Sequence, residues 1–87
     1  MNEFLIIPES TIQTINDYVE HGFEPGHFVR AVLENNLKMA FASADIYNER
    51  ALKQIVMYCY NKIPHTCWGS PELVANWLKR FKGSSNE

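Results

Sequence analysis

The chain has 87 residues, with eight Lys and Arg against ten Asp and Glu and 46% hydrophobic residues, which fits one small domain and excludes a large multi-part catalytic assembly. A net charge of −2 gives no overall attraction to nucleic acid or anionic lipid, so any anion site is a local patch and a sequence-neutral DNA coat is disfavoured. A domain of this size buries only about 60–65% of the surface its unfolded chain exposes, so a homo-oligomer is an expected supplement to a modest core.

In chain order, Met1 to Pro8 carries Glu3 where a signal peptide carries bases, and the apolar run Phe4 to Ile7 stops after four residues. Neither a signal peptide nor a membrane span is expected. Residues 1–9 read as an N-terminal arm, short and extended over Phe4 to Ile7, that folds back on the core or docks on another subunit. Residues 10–82 read as the helical domain. In it, Ile12, Ile15 and Val19 share a face with Tyr18 beside them, predicting a helix from about Ser10 to His21 with Gly22 as its stop. Phe23-Glu24-Pro25-Gly26 is a turn, and Phe28, Val32 and Leu33 predict a second helix ending near Asn35 and Asn36.

Leu37, Ala40, Phe41 and Ala44 repeat at spacings of three and four, predicting a third helix that is either separate from the second or continuous with it through the two asparagines. Asp45 or Asn48 can cap the next helix, whose face carries Leu52, Ile55, Val56 and Cys59, with Ile63 beyond it and Pro64 as its stop. This is the longest expected helix. Ser70 as N-cap, Pro71 at the first position, and Val74, Trp77, Leu78 and Phe81 as inner stripe predict a last helix that Gly83 closes. Residues 83–87 read as a disordered tail. The expected fold is all-α, a compact single-domain bundle of about five short helices.

The most informative segment for function is Tyr60 to Glu72. Trp68 offers a flat surface for a base, and the amides that open the helix after Ser70 can meet an anion. Gly69 lies between them. Cationic partners would come from Arg30, Lys38, Lys62, His27 and His65, while Lys79, Arg80 and Lys82 are explained by the helix dipole and solvation. The same Trp and capping residues are also what an ordinary packed helix start requires.

His21, His27, His65 and Cys67 match no zinc spacing, and Cys59 and Cys67 match no redox motif. No metal, cofactor or disulfide is expected, and free thiols fit a reducing cytosol. His65 and Cys67 lie two residues apart with no orienting acid near in sequence, so catalytic residues are not expected. Asp17, Glu20, Glu24, Glu34 and Asp45 fall on helix exteriors or caps, where solubility and capping are their ordinary roles. Aromatic residues make up 13% of the chain, too many for so small a core, and Tyr58 and Tyr60 lie on opposite flanks of one helix. At least one of the pair should face a partner or solvent.

The stretch Gly22 to Leu37, with Ala40-Phe41, Ala44-Asp45, Tyr60-Asn61, Pro64 and Trp68-Gly69-Ser70-Pro71, resembles a family of small accessory proteins encoded by tailed bacteriophages and prophages. The resemblance runs from about Tyr18 to Trp77. It departs at Asn36, where relatives commonly carry an acid, and at Ala42, near which they carry glycine. The resemblance implies a task in the host cytoplasm, where small non-enzymatic proteins blunt host defence or redirect host proteins. Joined to the segment around Trp68, it gives the expectation of a counter-defence protein that sequesters a nucleotide-derived immune signal. The alternative is an inhibitor or adaptor that binds a host defence protein. Acidic balance and scarce basic side chains disfavour DNA binding.

Overall fold

In the computed structural model, whose described residues are 6–85 with side chains to Phe81, Pro8 sets the first helix. Its carbonyl accepts from the amides of Thr11 and Ile12 at 3.0 and 3.2 Å, which starts α1 (Glu9–His21) one residue before Ser10. Gly22 ends α1 in the left-handed region, φ 67°, with its amide on the Tyr18 carbonyl and that of Phe23 on Asp17. A side chain there would collide with the Phe81 ring, so the terminator is also where the end of the chain packs. The buried row of α1 is Thr11, Ile15 and Tyr18, with Ile12 and Val19 only half-buried. The expected apolar face is therefore rotated towards Thr11, whose hydroxyl donates to Asn48 Oδ1 at 2.6 Å.

α2 (His27–Leu33) buries Val29, Ala31, Val32 and Leu33, and leaves Phe28 half-buried. Of the two connections open to α2 and α3 (Leu37–Ser43), the molecule uses the break. Asn35 takes φ 62°, the amide of Asn36 bonds back to Ala31, and the Asn36 side chain accepts from the Met39 amide at 3.1 Å to cap α3. Asparagine tolerates the left-handed turn and competes for local amides, so adjacent asparagines end one helix and begin another.

Asp45 caps α4 (Ile46–Arg50) by accepting from the Asn48 amide at 2.8 Å. The single long helix expected here is interrupted at buried Ala51, whose amide is shared between the Tyr47 and Asn48 carbonyls. α5 (Leu52–Lys62) follows, shorter than α1, with Ile55 and Cys59 buried. After Pro64 a 310 turn (His65–Cys67) leads to α6 (Pro71–Ser85), the longest helix. Ser70 Oγ accepts from the Leu73 amide at 3.1 Å, as expected of its cap, and Val74 and Leu78 are buried with Trp77 and Phe81 half-buried beside them. Gly83 does not close this helix, which continues to Ser85 and takes in the first residues of the expected tail; Asn86 and Glu87 lie outside the described residues.

These elements form a compact all-α single-domain bundle of six short helices, and no strand occurs among the described residues. Of the expected arm, Phe4 and Leu5 lie outside the described residues, Ile6 is exposed, Ile7 joins the core and Glu9 belongs to α1. Tyr18 lies at the centre of the bundle, fully buried, its hydroxyl donating to the Cys67 carbonyl at 2.7 Å and its carbonyl accepting from Trp77 Nε1 at 3.1 Å. One residue thereby ties α1 to the 310 turn and to α6.

Candidate functional site

The segment from Ile63 to Ser70 is built to turn the chain. Pro64 takes φ −63° and ψ 142°, Cys67 donates back to its carbonyl through both the amide and the thiol, and Trp68 is extended. Gly69 sits at φ 120° with its amide on the Leu33 carbonyl at 2.6 Å, which anchors the turn to the end of α2. Pro71 has no amide to donate and Ser70 already occupies that of Leu73, so within the first turn of α6 only Glu72 could offer an amide to an anion. The carboxylate of Glu72 itself opposes that use.

Trp68 is half-buried and packs against the core. Beside it lies a crevice of about 40 Å3, lined by Val32, Leu37, Ala40, Leu52, Val56 and Trp68 among others. Pockets for small ligands span about 300–1,000 Å3. The crevice accepts the tip of one aliphatic side chain and is too small for a base.

Arg30 is committed elsewhere. Its Nε donates to Glu34 Oε2 at 2.8 Å and its Nη1 pairs with Glu24, and the Glu34 hydrogen bond is the main reason its pKa is raised. It lines a cavity of about 300 Å3 with His27, Glu34 and Asn36, and a second of about 320 Å3 with Glu24, Leu78 and Lys79. Trp68 lines neither. Lys38 is exposed on α3, and His65 is exposed with its ring edge-on to Tyr60, centroids 5.8 Å apart. The structure thus brings His27 to Arg30, and Gly69 and Ser70 to Trp68, with the two groups on different cavities.

Buried reactive groups are quiet. Cys59 and Cys67 are both free and fully buried, and burial pushes their thiols up to about 12 and about 11, which suppresses the thiolate that nucleophilic chemistry needs. Burial also raises the Tyr18 phenol. Among the described residues no cluster of His, Cys, Asp and Glu could hold a metal ion, and no helix is long and apolar enough to cross a membrane.

Comparison with protein-family models, curated proteins and solved structures finds no significant match.

A feature that the sequence reading passed over is the surface of α3, α4 and α5. Leu37, Phe41, Tyr47 and Tyr60 are 69%, 56%, 69% and 65% exposed, and Ile46 and Val56 are exposed too. Of the expected stripe Leu37, Ala40, Phe41 and Ala44, only Ala40 is buried, where α3 packs on α2. Tyr60 faces solvent, whereas Tyr58 turns inward and donates to Asn16 Oδ1 at 2.9 Å, as their opposite flanks predict. The signal available in the sequence was the four-residue step shared by Leu37 with Phe41 and by Val56 with Tyr60. Arg30 and its i+4 neighbour Glu34, which caps the end of α2, signal the ion pair in the same way.

Proposed function

We propose that the protein acts without catalysis, by binding another protein through the apolar face of α3, α4 and α5. What carries the reading is the exposure of Leu37 and Phe41 on α3 and of Val56 and Tyr60 on α5, with Leu37 and Val56 lining one small crevice. Contiguous large apolar side chains in water mark interaction surfaces, and aromatic anchors supply most of the binding energy in such contacts. In the setting implied by the resemblance to phage accessory proteins, the partner is a host protein in the cytoplasm and the effect is to block or redirect it.

Sequestration of a nucleotide-derived signal has less support from this geometry. The crevice at Trp68 is too small for a base, and the guanidinium of Arg30 already serves two carboxylates. The deciding experiment compares Leu37→Asp and Phe41→Asp with the parent chain. Each should keep its melting temperature, because the side chains are exposed, and each should lose a protein that the parent captures from host cells and that mass spectrometry identifies. Calorimetry with a cyclic dinucleotide and with ADP-ribose should show no saturable heat; saturable binding lost in Trp68→Ala would restore the nucleotide reading. Sedimentation of the purified chain tests the expected homo-oligomer.

A further inference from the structure

We infer that the segment this face receives is an acidic amphipathic helix of another protein. The inference rests on the protein-binding reading above and specifies the chemistry of the partner. Leu37 and Phe41 stand one turn apart on α3, and Val56 and Tyr60 one turn apart on α5, with the crevice between Leu37 and Val56. Side chains stepped by one turn on two helices form the grooves into which the ridges of a third helix fit. At about 40 Å3 the crevice suits a single branched aliphatic side chain inserted as a knob.

Charge selects the occupant. Lys38 follows Leu37 on α3, and Lys53 stands three residues before Val56 and seven before Tyr60 on α5, so each apolar row is edged by a lysine. Neither lysine makes an ion pair among the described residues, whereas Arg30 makes two. Residues 37–65 carry four Lys and Arg against two Asp and Glu, while residues 1–36 carry six acids against one arginine. The two rows themselves, residues 37–41 and 53–60, carry two lysines and no acid. A second copy would offer this face the same two lysines, whereas a helix flanked by acids would offer them opposite charge. Nucleic acid would satisfy the lysines but leave the apolar rows uncovered. A helix with an aliphatic ridge flanked by Glu or Asp satisfies both.

The test titrates the full chain with two labelled synthetic peptides of helical propensity, each with Leu at one-turn intervals, flanked by Glu in the first and by Lys in the second. Fluorescence anisotropy should show saturable binding of the Glu peptide that weakens as salt is added. The double variant Lys38→Glu with Lys53→Glu should bind the Glu peptide roughly tenfold more weakly and should gain affinity for the Lys peptide. Because both lysines are exposed, cooperative melting should be unchanged. Equal binding of the two peptides, no binding of either, or indifference to the lysine reversals would overturn the inference. If a captured protein depends on Leu37 but not on Lys38 and Lys53, this inference fails and the protein-binding reading stands; if no captured protein depends on Leu37, that reading fails as well.

Discussion

At the scale of the residue, the clearest assignments are to atoms that have one partner and no water to replace it. The Tyr18 hydroxyl is buried against the Cys67 carbonyl. Removing it in Tyr18→Phe keeps the ring that fills the core and deprives a buried carbonyl of its donor, at a cost of about 1–3 kcal/mol. In a domain of this size each kcal/mol lowers the melting temperature by about 4–8 °C. A thermal melt of Tyr18→Phe should show that fall, and an unchanged midpoint would mean the bond contributes nothing net. Trp68 follows the same logic in a different environment. An aromatic residue before a capped helix reads as a stacking platform, but a Trp that packs on the core and a Trp that stacks on a ligand have the same sequence neighbours. Only the size of the adjoining space separates the two roles, and that space is assembled from α2, α3 and α5.

At the scale of the element, the two glycines flanking the first turn make opposite forecasts. Gly22 combines φ 67° with contact against Phe81, so Gly22→Ala should destabilise the protein by more than about 1 kcal/mol. Gly26, the N-cap of α2, has an ordinary φ of −70° and nothing within 4 Å of an added methyl, so Gly26→Ala should cost only the difference between Gly and Ala as caps, below about 1 kcal/mol. Urea titrations of both variants check the contrast, and equal effects would contradict the packing described at Gly22. Terminators of this kind were legible in the sequence, because Gly22, Asn36, Asp45, Pro64 and Ser70 act through bonds to near neighbours in the chain. The division between α4 and α5 was not legible. Ala51 is an excellent helix former, so propensity runs straight through it. The break instead goes with tertiary contact, Ala51 being buried and Asn48 of α4 accepting from the Thr11 hydroxyl of α1. Periodicity likewise marked the stripe Leu37, Ala40 and Phe41 but could not say whether anything in the same chain covers it.

At the scale of the whole molecule, the core buries three protons that alkali can remove from the unfolded chain but not readily from the folded one. Burial is the main reason that Tyr18 and Cys59 are raised, and a Cys67 thiolate, on the turn against which Tyr18 lies, would raise both further. The folded thiols are raised from 9.0 to about 12 at Cys59 and about 11 at Cys67. Below the unfolded value both states keep these protons, and the stabilisation from keeping the thiols neutral is fully present. As pH rises from about 9 towards about 12 the unfolded chain releases them first, so the folded state binds more protons and stability falls, by up to about 1.4 kcal/mol per pH unit for each group. Denaturant titrations across that window should show a midpoint that is nearly flat below pH 9 and descends above it. Lysines also titrate there, so the decisive comparison is the slope in Cys59→Ala, from which one buried proton has been removed. That variant starts from a lower stability, because the cavity it leaves is a separate cost, but its stability should fall less steeply with pH than that of the parent. Parallel slopes would mean that Cys59 ionises as easily in the folded chain as in the unfolded one, and the account of a dry core around Tyr18 would fail.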